Sequence, residues 1–132
     1  MSASEQTHET LTRRLTAICI ERGVAFTAKV PLGPTPFDRV FKADLILDLP
    51  GYADGLAVIA RNQDSSGSAE EKLCHLALCI TRSRRACLVV LGGEGWSEGA
   101  QRWMAERKGD RVLDTVDLDG FDAFLVAALG VA

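Results

Sequence analysis

Val58-Ile-Ala-Arg-Asn-Gln-Asp-Ser-Ser-Gly-Ser-Ala-Glu-Glu-Lys72 is the stretch on which the fold of this 132-residue chain turns. From Gly55 to Arg61 it is an apolar strand. From Asp64 to Ser68 it becomes a small polar turn, and it restarts as a helix because Ser68 is followed three residues later by Glu71, in capping-box order. A strand end thus meets a helix start. In open α/β sheets such a junction presents polar side chains to a ligand while the sheet behind stays dry, and here polar residues crowd the junction with apolar ones on both sides.

Upstream, Leu11, Leu15, Ile18 and Cys19 recur at helical spacing, which predicts a first helix from about Ser4 to Arg22 with Gly23 as its C-cap. Its other face carries Glu5, Glu9, Arg13 and Arg14, and His8 is expected to face solvent. Val24 to Val30 alternates as a half-buried strand. Pro31-Leu-Gly-Pro-Thr-Pro36, with three prolines in six residues, is expected to rule out regular pairing and form a loop or wide hairpin end. Phe41 to Leu49 is the next strand, with Ala43, Leu45, Leu47 and Leu49 on one face, and turn signals at Pro50-Gly51 and Asp54-Gly55 return the chain antiparallel.

Downstream, Ser68 to Arg82 reads as a helix and Ala86 to Leu91 as a central strand buried on both faces. Gly92-Gly-Glu-Gly95 turns the chain. Ser97 to Lys108, Val112 to Val116 and Phe121 to Leu129 follow as helix, strand and helix. The order is α-β-β-β-α-β-α-β-α, a mixed sheet with helices on its two faces, expected as a single domain over residues 1–132.

The apolar fraction of 47% suits a chain that closes a core. A net charge of −3 argues against nucleic-acid binding through bulk charge, leaving only local basic patches. Cys19, Cys74, Cys79 and Cys87 match no zinc spacing and read as reduced core residues; no leader or membrane-length apolar run is seen, so a soluble, cytoplasmic protein with no membrane contact is expected. Gly92 to Gly95 lacks the lysine of a phosphate-binding loop. Trp96 reads as a cap on the core. His75 has no partner at metal-ligand spacing.

Lys42-Ala-Asp-Leu-Ile-Leu47, Ala60 to Lys72 and Leu88-Val-Val-Leu-Gly-Gly-Glu-Gly-Trp96 together resemble the PD-(D/E)XK nuclease superfamily. The resemblance implies a restriction-endonuclease-like, three-layer α/β/α fold. It also implies Mg²⁺-dependent (or Mn²⁺-dependent) hydrolysis of DNA, because converging carboxylates hold a hard cation that activates water and stabilises the phosphorane. Asp44 matches the first metal-binding aspartate, and Glu9 a glutamate that some members place on the first helix. Removing the Asp44 charge is expected to leave stability within about 1 kcal/mol, by relieving repulsion between carboxylates.

The chain departs from the pattern at the (D/E)-x-K triplet, where Ile59 stands at the carboxylate position and Arg61 at the lysine. Arginine can grip a phosphate but is a poor proton shuttle. In one reading the second carboxylate has migrated to Glu70 or Glu71 at the helix start, with Glu9 or Asp64 in reserve as a ligand; in either reading Gln63 positions a phosphate or an attacking water. In the alternative, the fold is a catalytically degenerate subunit that binds nucleic acid or a partner without cleavage. Arg61, Ser66, Arg82, Arg84 and Arg85 are the expected DNA contacts. A chain with one cleavage centre would cut both strands as a homodimer or with a partner subunit.

Overall fold

The computed structural model describes residues 3–63, 69–83, 85–109 and 111–130. Helix α1 (Ala3–Glu21) leads into strands β1 (Phe26–Pro34), β2 (Val40–Leu47) and β3 (Leu56–Asn62), then α2 (Ala69–Ser83), β4 (Cys87–Gly92), α3 (Glu98–Ala105), β5 (Val112–Val116) and α4 (Leu118–Leu129). The strands form one sheet in the order β1-β2-β3-β4-β5. The first three are antiparallel, and β3, β4 and β5 are parallel. This is the mixed-sheet, three-layer α/β/α architecture expected. Among the described residues no helix is long and apolar enough to cross a membrane.

The sheet is dry on both faces because β3 and β4 are apolar at nearly every position. Leu56, Val58, Ala60, Leu88 and Val90 pack with Leu11 and Leu15 of α1 and Phe121 and Leu125 of α4. Ala57, Ile59, Cys87 and Val89 pack on the opposite side with Leu73, Leu76 and Ile80 of α2 and Met104 of α3. Gly23 closes α1 in the left-handed region, with the Val24 N–H returning to the Cys19 carbonyl at 2.8 Å and the Gly23 N–H to the Ile20 carbonyl at 3.1 Å, a Schellman ending.

Several expectations are corrected. The proline-rich segment does pair: β1 continues through Pro34, which stands opposite Val40, with a register shift between Pro31 and Gly33. A proline removes a ladder donor, but β1 is an edge strand and its outer side has no partner to lose. Helix α4 starts three residues early, at Leu118, because the Asp117 side chain caps it by accepting from the Gly120 N–H at 2.8 Å. Glycine suits that first turn because a Cβ there would come 2.8 Å from the Val116 Cβ. Helix α3 stops at Ala105 rather than Lys108. Cys19, Cys79 and Cys87 are buried, but Cys74 is exposed.

One irregularity builds the functional end of the molecule. Strand β2 pairs with β3 from Leu47 opposite Leu56 to Leu45 opposite Val58, and there the ladder ends. Although they alternate in step along β2, Phe41 and Ala43 pack in the α2 and α3 layer, whereas Leu45 and Leu47 pack in the α1 and α4 layer. The strand rolls over at Asp44 and splays from β3. The hairpin of β1 and β2 then arches towards α2, leaving a gap at the C-terminal end of β3.

Candidate active site

At the splay, the Asp44 side chain does what a strand carbonyl would otherwise do: its Oδ2 accepts the Ala60 N–H at 2.7 Å. That bond holds the carboxylate against the end of β3 and gives the Ala60 N–H its acceptor. Arg61 Nη1 lies 3.5 Å from the same oxygen and donates to the Ala60 carbonyl at 2.8 Å. On the other side, His8 Nε2 lies 3.0 Å from Asp44 Oδ1, buried and off the line of a well-formed hydrogen bond. The carboxylate therefore raises the imidazole's pKa from its ordinary value, against burial and the Arg61 charge, which lower it. His8 faces Asp44, a correction to its expected solvent position. Since Nε2 is buried and the side chain as a whole is 40% exposed, the ring's exposure falls on its other atoms.

These groups line a cleft of about 810 Å³ between α1 and the sheet end, together with Glu9, Arg13, Lys29, Asn62, Lys72 and Trp96. Lys72, on the first turns of α2, donates to Gln63 Oε1 at 3.0 Å. The Gln63 backbone pins the glycine-rich loop: its N–H donates to the Gly92 carbonyl at 3.0 Å, and its carbonyl accepts the Gly95 N–H at 2.6 Å. Gly92 packs closely here: a Cβ would lie 2.8 Å from Asn62 Oδ1 and 3.0 Å from Leu11 Cδ2, so those side chains would have to shift to admit one. Trp96 is buried and donates its indole N–H to the Gly92 carbonyl at 2.8 Å, so it caps the core.

The structure brings Asp44, Arg61 and Glu9 to one cleft, with Gln63 held at its edge by Lys72. It does not bring Glu70 or Glu71 there. Glu70 accepts from the Ser97 hydroxyl at 3.2 Å, tying α2 to the cap of α3, and Glu71 is exposed on α2. Arg82 is exposed near the end of α2, and Arg85 donates to the carbonyls of Asp54 and Gly55 at 2.8 and 3.0 Å, away from Asp44. Asp64, Ser66, Ser68 and Arg84 lie outside the described residues. Ile59 is fully buried among Phe41, Ala43 and Leu76.

Two residues were missed as site groups. His8 lies three before Leu11 and seven before Leu15, on the continuation of the buried stripe, and that spacing was the available signal. Lys72 stood inside the quoted motif without a role.

A family model described as a PD-(D/E)XK nuclease superfamily domain matches residues 3–128. The chain belongs to the PD-(D/E)XK nuclease superfamily. A nuclease-type function follows in general terms. Searches of curated proteins and of solved structures gave no match.

Members of this superfamily generally use divalent metals, and the donor set here tests that. A magnesium ion wants near-octahedral oxygen ligands, with one or two carboxylates among them. In this PD-(D/E)XK domain one Asp44 oxygen is engaged by an N–H and a guanidinium, and the other is approached by an imidazole. Among the described residues, no group of three His, Cys, Asp or Glu side chains could hold a metal ion. The described residues do not fit the paired-carboxylate centre. Ile59 is apolar, and among the described residues the ion-pair neighbours of Asp44 are His8 and Arg61 rather than a carboxylate, so the repulsion that a charge-removing substitution was expected to relieve is not what surrounds it.

Proposed function

We propose that this domain binds nucleic acid through its phosphates at the Asp44 cleft and is a degenerate member with respect to two-carboxylate metal catalysis. The observation that carries this is the state of Asp44: its carboxylate is bonded to Ala60 and paired with Arg61. The cleft lining holds four cationic side chains, Arg13, Lys29, Arg61 and Lys72, against two carboxylates, Glu9 and Asp44, an excess of two positive charges on a chain of net −3. Arg61 offers a planar fork for a phosphate and Lys72 a point charge beside it.

A second reading has one observation in its favour. Glu9 lines the same cleft as Asp44, so a Mg²⁺- or Mn²⁺-dependent DNA endonuclease would hold its cation there, as a homodimer if it cuts both strands. The experiment is a supercoiled-plasmid nicking assay with each cation, alongside anisotropy binding of a labelled DNA. Binding with no nicking, and with a log-log salt slope of about −2 to −4 for two to four phosphate contacts, is the expected result. Cation-dependent nicking abolished by Asp44→Asn and by Glu9→Gln would establish the second reading instead.

A further inference from the structure

The splay of β2 opens a second hollow on the other side of Arg61, between the β1–β2 hairpin and α2. Lys42, Arg61, Lys72, His75, Val40 and Phe41 contribute to its lining, which contains no carboxylate among the described residues. Arg61 and Lys72 line this hollow and the Asp44 cleft alike, so the cationic pair borders both. A carboxylate-free hollow in an acidic chain is a local attractor for a polyanion.

The hairpin tip stands at the rim of the hollow and is firmly held. The Thr35 N–H donates to the Arg39 carbonyl at 2.6 Å, and its hydroxyl accepts from the N–H groups of Phe37 and Arg39 at 3.2 Å each. On this tied turn Phe37 is 76% exposed and Val40 61% exposed. Arg39 and Lys42 flank the tip, and Asp38 shares it. The Phe37 ring lies 5.9 Å from the His75 ring, with their planes 20° apart. A stacked pair therefore sits beside the cationic hollow with most of the phenylalanine still in solvent.

We infer that the hairpin tip is a base-stacking arm for an unpaired nucleic-acid strand, whose phosphates follow Lys42, Arg61 and Lys72 while one base extends the His75–Phe37 stack. This rests on the nucleic-acid reading above and adds the substrate class. Stacking on an aromatic ring accepts any base, because every base has a π-face. In a duplex those faces are already covered by neighbouring base pairs, so the arm selects unpaired strand.

The test compares a labelled single-stranded oligonucleotide with a duplex of the same sequence, using the whole chain. Phe37→Ala is expected to weaken single-strand binding about tenfold, the scale of one lost base stack, with duplex affinity and salt slope unchanged. Lys42→Ala should reduce the salt slope by about one. Phe37→Trp should retain affinity and show indole fluorescence quenched by the single strand. Unchanged single-strand affinity in Phe37→Ala overturns the arm, and if Arg61→Ala still weakens binding about tenfold, the phosphate cleft stands without it. Failure of the native chain to bind either oligonucleotide removes both. A sedimenting dimer that Phe37→Ala dissociates, with strand affinity unchanged, assigns the tip to a second copy and also overturns the proposal.

Discussion

Arg61 and Arg85 serve opposite ends of β3. Arg85 reaches the turn that precedes the strand and donates to two backbone carbonyls, at Asp54 and Gly55. Arg61 ends the strand on the Asp44 carboxylate and borders two hollows. Both are half-buried guanidinium groups beside the same strand. What separates them is the neighbouring strand: β2 stays paired at the Leu56 end and leaves at Asp44. A cation beside closed backbone satisfies acceptors, whereas one beside parted strands faces an opening where a ligand's charge can enter.

The largest test of that contrast is Ile59→Glu. Ile59 lies two residues from Arg61, yet it is fully buried on the closed side of the opening. A carboxylate there is unpaired in the core and should cost about 3–5 kcal/mol in urea unfolding. A cost under about 1 kcal/mol would mean that the opening extends to Ile59 and that the two ends are less different than described. Restoration of stability by Mg²⁺ in Ile59→Glu combined with Arg61→Lys would show that the missing metal centre can be rebuilt.

Next in size is Asp44→Ala, which leaves the Ala60 N–H without its acceptor and should cost about 1–3 kcal/mol. The expected near-neutrality of removing this charge does not carry over, because the carboxylate stands beside cations and an N–H. Arg61→Ala and Arg85→Ala should then split cleanly. The first should weaken DNA binding about tenfold, or ~1.4 kcal/mol, with a small stability change. The second should leave binding unchanged and cost about 1 kcal/mol of stability, read by thermal unfolding and anisotropy on the same preparations.

The smallest effect belongs to a pair outside both ends. Arg22 grips Asp122 with two hydrogen bonds, at 2.8 and 2.9 Å, joining the turn that follows α1 to α4. The Arg22 guanidinium holds the Asp122 carboxyl below its ordinary value of 3.8. A carboxyl depressed in the folded state contributes stability that is present above its unfolded value and lost as pH falls through the folded one. Asp122→Asn should therefore lose a small increment at neutral pH and show a flatter decline below about pH 4. Solvent screening keeps the increment small.

The strand that ends at Asn62 and the helix that runs through Lys72 were legible because burial on a strand and apolar spacing on a helix leave local patterns; the turn and cap expected between them lie outside the described residues. Asp44 was legible as an acid on a β-patterned strand. The splay was not, since it is a relation between two strands, and the spacing within either one is regular. For the same reason Glu70 was placed at the site from its nearness in sequence to the strand end, while in three dimensions it turns to the cap of α3. The prolines were misread because a missing N–H matters only on a paired side, and which side is paired depends on strand order.

Those prolines have a consequence for solubility. An edge strand is a template on which another chain can add by backbone pairing, and the risk grows with its length and regularity. At nine residues β1 is the longest strand in the sheet, but Pro31, Pro34 and the register shift between Pro31 and Gly33 interrupt its row of donors. Fibril-like stacking is denied its best foothold. Any second copy of this chain should associate through side chains on another surface rather than by extending the sheet at β1.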